Sequence, residues 1–386
     1  MRKERTFLGY SRENGTFGIR NHVVALATSD ALNPLARQIS QSVQGVVALT
    51  HGAGRCQFGK DHQQTQRTLR GLIANPNVAS VLLLSMESTL AAEIGADIAK
   101  TGKMIEQVII QECGTIDALA RGIRKAAALA IAASEERRRP VPLDALTLAV
   151  ECGGSDTTSG IAANPVIGKI ADIIVDAGGT VILSETVEMM GAEHILAKRA
   201  ASDDLARKIY AMVDAVEADA KRRGIDIRGT NPLPDNIRGG LSSIEEKALG
   251  AIIKGGTRPI RDVVEYGETS RQKGLILMDT PSGAIDGLTG MAAGGATMVL
   301  FSTGVGHPAG HPIMPTIKIT SNPKTEVHFI DNIDFSVTSV ALGLTSIEDA
   351  ADKLLEEVIK VASGKIVKAE ALKQLENGIA RIEPSI

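Results

Sequence analysis

The chain has 386 residues, of which 44% are hydrophobic and 2% aromatic, and its 42 basic and 45 acidic residues give a formal net charge of −3. This hydrophobic fraction is too high for a disordered chain. The near-neutral charge and scarce aromatic side chains argue against nucleic-acid binding and against a polybasic membrane surface. No apolar run approaches the ~20 residues of a bilayer span, the N-terminus lacks a signal-peptide core, and 3 cysteines fit a reducing compartment. We therefore expect a cytoplasmic protein.

The first third of the chain alternates aliphatic runs with helical patterns. The predicted strands are His22–Thr28, Val43–Leu49, Ser80–Leu84 and Gln107–Ile110. The predicted helices are Asn33–Val43, His62–Ala74, Thr89–Thr101 and Thr115–Ser134. This alternation is typical of βαβ crossovers and a mostly parallel sheet. Because a charged stretch with two prolines follows at Glu135–Pro142, we predict a linker there and an N-terminal α/β domain over residues 1–138.

A second alternation predicts a C-terminal α/β domain over residues 143–386. Its predicted strands are Leu146–Val150, Thr180–Leu183, Gly274–Met278, Thr297–Phe301 and Thr316–Ile319. Its predicted helices are Ile161–Ala177, Ser346–Ala362 and Lys368–Ala380, with one or two further helices over Val187–Ala220 and a turn-rich segment at Gly229–Gly240. The predicted fold is thus two consecutive α/β domains with mostly parallel sheets, the second carrying the motifs ECGGSD (Glu151–Asp156) and FSTG (Phe301–Gly304).

Glycines cluster directly after predicted strands. The segments are HGAGRCQFG after Thr50, ECGT after Ile110, ECGGSD after Val150 and STGVGHPAGH after Phe301. In open parallel sheets ligands bind at the carboxyl ends of the strands, and glycine lets the backbone approach a ligand closely. We therefore predict Gly-rich loops at strand C-terminal ends, lining one crevice.

The ECGGSD segment is the strongest candidate for a site. Gly153 and Gly154 would leave backbone N–H groups free at a helix N-terminus, where a carboxylate can bind. A plain helix cap by Ser155, Asp156 or Ser159 is the alternative. A cap accounts for one of these residues but not for a glutamate and a cysteine beside two glycines.

Acidic residues also follow the next strand, at Glu185 and Glu188. Because consecutive parallel strands are usually neighbours, these side chains should lie near Glu151 and Asp156. Such carboxylates repel one another unless a cation neutralises them, which favours a hard divalent metal. Acids that complement a helix dipole are the alternative for Glu188.

The remaining candidates lie in loops. His51 could act as a general base or metal ligand, and Arg55 could bind a carboxylate or sulfonate. Asp61 reads as a helix cap, and the spacing of His307 and His311 is a weak metal signal because proline and glycine intervene. Cys56, Cys113 and Cys152 each follow a predicted strand, so they could hold an iron–sulfur cluster or simply be small buried residues.

Long motifs in a fixed order run along nearly the whole chain. They are FLGYxREN from Phe7 to Asn14, His51-x-x-Gly54, Asn75–Asn77, ECGGSDTTSGIAANP from Glu151 to Pro165, SETVEMMGAE from Ser184 to Glu193, NPLPDNIRGGLSSIEEKALG from Asn231 to Gly250, and FSTGVGHPAG from Phe301 to Gly310. In these motifs the chain resembles the large catalytic region of the altronate/galactarate dehydratase family, of which the large subunit of sulfolactate sulfo-lyase is a close relative.

The resemblance implies a lyase that dehydrates a sugar acid, a 2-hydroxy carboxylate of the altronate or galactarate type, to a 2-keto-3-deoxy acid. It implies a divalent metal, Fe²⁺ or alternatively Mn²⁺ or Mg²⁺. It also implies an oligomer and, because the chain starts at the FLGY-like opening, a separately encoded small subunit. Carried over residue by residue, it assigns catalytic roles to His51, Glu151, Cys152 and Lys247, substrate binding to Arg55, Gly153, Gly154, Ser155, Asn236, Thr303 and Gly304, and metal binding to Asp156, Glu185 and Glu188.

Departures from the family pattern leave the substrate open. The segment Ser85–Ser88 replaces the Gly-Cys-Glu of the dehydratases, and Val305 stands where the family has arginine. The loop Gly54–Gly59 and the form TGVGHPAGHPIMP look closer to sulfolactate sulfo-lyase, which releases sulfite and pyruvate. The alternative is therefore a (2R)-sulfolactate sulfo-lyase large subunit, and a non-catalytic α/β binding subunit is the competing class.

Overall fold

A computed structural model describes residues 5–383. The strands are β1 (Thr6–Ser11), β2 (Phe17–Gly18), β3 (His22–Ala27), β4 (Val46–Leu49), β5 (Val78–Ser85), β6 (Met104–Ile109), β7 (Arg139–Pro142), β8 (Thr147–Cys152), β9 (Thr180–Leu183), β10 (Ile260–Val264), β11 (Gly274–Met278), β12 (Met298–Ser302), β13 (Thr316–Thr320) and β14 (Phe335–Ser336). The helices are α1 (Asn33–Ser42), α2 (Gly59–Ala74), α3 (Ser88–Ala99), α4 (Ile110–Ala133), α5 (Asn164–Asp176), α6 (Glu193–Lys198), α7 (Asp203–Arg222), α8 (Ile227–Thr230), α9 (Pro234–Arg238), α10 (Ile244–Ala251), α11 (Ala284–Ala293), α12 (Pro323–His328), α13 (Thr338–Ala341), α14 (Ile347–Ala362) and α15 (Lys368–Ala371).

Two parallel sheets confirm the predicted α/β fold. The N-terminal sheet has four strands in the order β4-β3-β5-β6, and the C-terminal sheet has seven in the order β10-β11-β9-β8-β12-β13-β14. Neighbouring strands are parallel throughout both sheets. In the larger sheet the chain first extends from β8 to one side and later returns to its other side with β12. The carboxyl ends of β8 and β12 therefore form a topological switch point, which is where open α/β sheets bind ligands.

The two faces of the seven-stranded sheet bury different side chains because successive residues of a strand point to opposite faces. Val150 and Leu300 belong to a core shared with the amphipathic helices α5, α7 and α14. Ala149 and Val299 belong to a second core, to which α2, α3 and α11 contribute apolar residues. Strands buried on both faces are continuously aliphatic, as in β5.

The predicted linker contains a strand. Residues Arg139–Pro142 form β7 and pair antiparallel with β1, and β1 also pairs with β2. Phe7 and Ile19 are fully buried in the core of the larger sheet, although the prediction assigned them to the N-terminal domain. The residues before β3 thus pack partly against the C-terminal sheet.

Two predicted elements were wrong in detail. The ECGT segment lies within α4, whose first turn is kinked at Gly114 (φ 72°, ψ 171°). The predicted helix Lys368–Ala380 ends at Ala371, because the chain then runs back to the N-terminal unit, where the carbonyl of Ala380 accepts a hydrogen bond from Gln64 (2.7 Å). Over Val187–Ala220, where one or two helices were predicted, the chain forms the two helices α6 and α7, with residues 199–202 between them. Within residues 5–383 no helix has both the length and the hydropathy needed to span a bilayer.

Candidate active site

Glu151 occupies the carboxyl end of β8, at the switch point. It is fully buried, and its Oε2 accepts a hydrogen bond from Ser184 Oγ. Its Oε1 has no hydrogen-bond partner in the part of the chain that the structure describes. A Cβ on Gly287 of α11 would lie 2.7 Å from that Oε1, so glycine is needed where the helix covers the carboxyl group. Burial, and then the charge of Glu185, raise the pKa of Glu151 well above its ordinary value. This environment favours the protonated acid.

Cys152, Glu185 and Lys254 form a buried cluster beside Glu151. Glu185 Oε2 accepts from Lys254 Nζ (2.7 Å), from the backbone N–H of Cys152 (2.9 Å) and from its thiol (3.2 Å). Burial and Glu185 raise the pKa of the Cys152 thiol, so the cluster favours a thiol over a nucleophilic thiolate. Burial alone would lower the pKa of Lys254, but Cys152 and the glutamates outweigh it and raise that pKa.

The backbone of Glu185 is itself unusual. Its φ of 68° and ψ of 73° lie in the left-handed region, which is uncommon for a residue with a side chain. Strained residues of this kind cluster at functional sites. In this backbone conformation the Glu185 carboxylate reaches Lys254 and Cys152, whose hydrogen bonds hold it.

Glu188 and Lys247 form a second buried ion pair. Lys247 Nζ lies 2.9 Å from Glu188 Oε1 and donates to Asn231 Oδ1 (3.1 Å) and Asn236 Oδ1 (3.2 Å). Glu188 Oε2 is buried without a hydrogen-bond partner. Burial, and then Glu185, raise the pKa of Glu188 against the opposing effect of Lys247.

Asn236 connects this pair to the ECGGSD loop. Its Nδ2 donates to the carbonyl of Ser155 (2.9 Å). The structure thus brings the predicted Glu188, Lys247, Asn236 and Ser155 into one bonded group.

Asp156 is held as a local cap. Its Oδ1 accepts from the N–H and Oγ of Ser159 (both 2.9 Å) and from Thr158 Oγ1 (2.8 Å), and its Oδ2 accepts from Asn322 Nδ2 (2.7 Å). Both oxygens are therefore engaged, which favours the capping interpretation of this residue. Asn322 was not expected at the site from the sequence.

The glycines of the two site loops let the loops contact each other. The N–H of Gly153 donates to the carbonyl of Ser302 (3.1 Å), and the N–H groups of Gly304 and Val305 donate to the carbonyl of Gly154 (3.0 and 2.9 Å). The N–H of Gly153 is therefore not free for an anion, contrary to the sequence-based expectation. A side chain on Gly304 would overlap Asp156. Thr303 Oγ1 accepts from Gly306 N–H (3.0 Å), which fixes the same turn.

The predicted residues of the HGAGRCQFG loop belong to the N-terminal unit. His51 Nε2 is 2.8 Å from the carbonyl of Ala27, and its Nδ1 accepts from the N–H of Ala53 (3.2 Å). Burial lowers the pKa of His51, so the ring is suited to holding its loop. Arg55 is exposed, and Asp61 accepts hydrogen bonds from Gln57 Nε2 (2.6 Å) and the N–H of Ile382 (2.8 Å).

Two carboxyl oxygens of the site are of the kind that binds the predicted divalent metal. Glu151 Oε1 and Glu188 Oε2 are unpartnered carboxyl oxygens, which are the donors that hard divalent cations take. Lys247 and Lys254 already supply positive charge to Glu188 and Glu185. Residues 5–383 contain no group of three or more His, Cys, Asp or Glu side chains placed to hold a metal ion, and this includes the three cysteines. Metal binding thus stays a prediction that would need donors from a substrate, water or another chain.

Sequence reasoning missed Lys254, Lys318 and the site role of His307. Lys318 is fully buried in the middle of β13, between Ile317 and Ile319. His307 lies in the FSTG loop with its ring centroid 5.4 Å from that of Phe301. The available signal was positional, because Lys318 stands between two isoleucines of an aliphatic run and Lys254 follows two isoleucines.

Acid–lysine pairs at the switch point of a parallel sheet define a small-molecule enzyme of the open α/β class. The family model described as D-galactarate/Altronate dehydratase, C-terminal, matches residues 143–385, and the model described as D-galactarate dehydratase/Altronate hydrolase, second domain, matches residues 9–134. The chain belongs to the galactarate/altronate dehydratase family and is a lyase-family enzyme.

Among curated proteins the chain resembles both branches that the motifs suggested. It is 39% identical to the (2R)-sulfolactate sulfo-lyase subunit beta of Chromohalobacter salexigens, with 99% of each chain covered. It is 32% identical to the altronate dehydratase of Bacillus subtilis, over 95% of this chain and 76% of the relative. It is 31% identical to the altronate dehydratase of Escherichia coli, over 92% of this chain and 74% of the relative.

Proposed function

We propose that the protein catalyses β-elimination from a 2-hydroxy carboxylate that carries its leaving group on C3. The C2–H proton is removed, the bond from C3 to the leaving group breaks, and the resulting enol becomes a 2-keto acid. The observation that carries the proposal is a pair of buried carboxyl groups, Glu151 at the end of β8 and Glu188 in the turn that follows the adjacent strand β9. Each has one oxygen without a partner among residues 5–383. Elimination needs a base and an acid on one substrate, and raised pKa values suit both tasks.

We propose sulfolactate as the first candidate substrate. The C3–S bond breaks with its electron pair on sulfur, so that sulfolactate yields pyruvate and sulfite. This choice rests on the 39% identity to a sulfo-lyase subunit over 99% of both chains, and it reverses the order in which the motifs ranked the substrates. Dehydration of a sugar acid is the second candidate, because the chain also matches altronate dehydratases at 31 and 32% identity.

The proposed roles follow from the contacts of the two carboxyl groups. Glu188, with Oε2 free and its other oxygen on Lys247, is the base that takes the C2 proton. Glu151, whose environment favours the protonated form, donates a hydrogen bond or proton to the substrate from its free side. Lys254 and Cys152 hold Glu185 in place beside them. A divalent cation, when bound, would stabilise the enediolate charge.

The subunit composition is also proposed from the relatives. Because the most similar of the relatives above is named subunit beta, we propose that this chain acts together with a smaller subunit. Localisation in the cytoplasm and a requirement for Fe²⁺, with Mn²⁺ or Mg²⁺ as substitutes, belong to the same proposal.

The test is a substrate panel run on the full chain with its co-expressed small subunit. Sulfolactate, altronate and galactarate are each incubated with enzyme that has been loaded with Fe²⁺ or treated with a chelator. Keto acid is measured by mass spectrometry and sulfite by a thiol-reactive dye. Release of sulfite and pyruvate from sulfolactate supports the first assignment, and a 2-keto-3-deoxy acid from a sugar acid selects the second.

Site variants separate elimination from simple binding. Glu188→Gln should lower kcat by roughly 10²- to 10⁴-fold, the usual contribution of a general base. Glu348→Gln, at an exposed residue, is the control and should leave kcat unchanged. Binding of a panel acid without turnover under every condition would contradict the proposal and favour a non-catalytic binding subunit.

A further inference from the structure

Lys318 is a buried amine that the proposed reaction leaves without a role. The side chain is fully buried, and Nζ has no hydrogen-bond partner within residues 5–383. The neighbouring Asp334 contributes negative charge, but its oxygens accept from the backbone N–H groups of Lys318 and Lys368 (both 2.8 Å) and not from the Lys318 amine. A buried ammonium without a partner is strongly unfavourable. Unpaired charges of this kind are typical of ligand sites.

The register of the sheet places Lys318 in the row that contains Glu151. Glu151 of β8 lies opposite Phe301 of β12, and Phe301 lies opposite Lys318 of β13. Residues opposite each other on parallel strands point to the same face of the sheet. Phe301 therefore lies between the carboxyl group and the amine, on one side of the switch point.

His307 adds a second hydrogen-bond donor beside Phe301. Its Nδ1 accepts from the N–H of Ala309 (3.2 Å), so the proton of the neutral ring lies on Nε2. Within residues 5–383, Nε2 makes no hydrogen bond to another residue. Burial, and then the charge of Lys318, lower the pKa of His307, which favours the neutral ring. The surroundings of Phe301 thus offer an ammonium and an imidazole N–H.

We propose that Lys318 and His307 form an oxyanion-binding subsite that holds an acidic group, carboxylate or sulfonate, of the substrate. The inference rests on the proposed function for the identity of the substrate, but the binding chemistry is independent of turnover. An anion held here would lie on the same face of the sheet as Glu151, with Phe301 between the anion and the carboxyl group. Lys318 would also add positive charge near the carbanion that forms.

The test measures binding and stability separately from activity. D-Gluconate, which carries a carboxylate only, and 3-sulfopropanoate, which also carries a sulfonate, are titrated into the full chain by calorimetry. The variants are Lys318→Met, which keeps the length of the side chain, and His307→Phe, which keeps the ring beside Phe301. Lys324→Met, at an exposed lysine on α12, is the matched control.

The expected result is binding of at least one acid by the native chain and by Lys324→Met. Lys318→Met should weaken that binding at least about tenfold, the usual effect of losing a charge-assisted hydrogen bond. His307→Phe should weaken it by a smaller factor. Loss with gluconate identifies a carboxylate subsite, and loss with 3-sulfopropanoate alone identifies a sulfonate subsite. Without ligand, Lys318→Met should melt at the same or a higher temperature, because it removes an unpaired buried charge.

Other outcomes overturn the inference. They are equal binding by the native chain and Lys318→Met, no binding of either acid by the native chain, or a lower melting temperature for Lys318→Met, which would make the lysine structural. If Lys318→Met does not fold, native-like binding by His307→Phe also overturns it. Binding that is lost in Lys318→Met while no substrate is turned over would refute only the proposed reaction.

Discussion

Removing the amine of Lys254 should destabilise the larger unit more than any exposed lysine would. Lys254→Met keeps the aliphatic length but leaves the carboxylate of Glu185 buried, with only the backbone N–H and thiol of Cys152 as donors. Breaking a buried ion pair from one side costs about 3–5 kcal/mol. For a unit of this size that corresponds to a fall in melting temperature of about 6–20 °C. The pair contributes fully at pH 7, because the raised pKa of Lys254 places its loss at alkaline pH.

The assay is thermal unfolding followed by circular dichroism, with urea unfolding as a second measure. Lys169→Met is the control, because Lys169 makes only an exposed pair with Glu348 at 3.5 Å and should change stability by less than about 1 kcal/mol. The double variant Lys254→Met/Glu185→Gln removes both charges and should recover much of the loss. If Lys254→Met unfolds at the native temperature, or if the double variant is no better than the single one, the ion pair does not stabilise the site as described.

Three further predictions concern the site loops and the acidic and basic groups. Gly304→Ala should lower both stability and activity, because its Cβ would overlap Asp156. Gly52→Ala is the control and should change neither, because no described atom lies within 4 Å of its Cβ. Activity and a melting curve test this, and a native-like Gly304→Ala would contradict it. Burial lowers the pKa of Lys318 to about 8. In a profile measured from pH 6 to 9.5, kcat/KM should therefore be high below pH 8 and fall above it, as the ammonium loses its proton. A profile that is flat through pH 8, or that is unchanged in Lys318→Met, would contradict the assignment. Glu151→Gln should lower kcat by roughly 10²- to 10⁴-fold. The melting temperature should stay the same or rise, because a neutral amide has no charged form that burial could disfavour. A native kcat in this variant would show that Glu151 takes no part in the reaction.

Much of the central sheet could be predicted because most of its strands are largely aliphatic. The bounds of β9 and β11 match the predicted Thr180–Leu183 and Gly274–Met278. The edge strand β10 was missed, because Arg261 and Asp262 break the apolar pattern that identifies a buried strand. Edge strands carry such residues because part of their surface is exposed.

Site residues at the ends of consecutive strands could be predicted from the sequence, whereas residues brought in from distant parts of the chain could not. Glu151 and Glu185 could be placed together because β8 and β9 follow each other in the chain and pair in parallel. The counter-charge was expected to be a metal, whereas Lys254 comes from a turn 69 residues beyond Glu185. Lysine is rarely buried, so Lys318 gave no signal of its own. Sequence patterns thus located the acids better than the cations that compensate them.

The return of the chain after α15 has a consequence for how the protein is made. Gln64 of α2 bonds to Ala380, and Asp61 accepts from the N–H of Ile382, 321 residues later. The N-terminal sheet can form early during synthesis, but these contacts of α2 cannot form until residues 380–382 have been made. Until then Asp61 lacks two of its hydrogen-bond donors, Arg381 and Ile382. Nascent chains stalled shortly before residue 380 should therefore hold a folded N-terminal sheet whose α2 is still open to proteolysis.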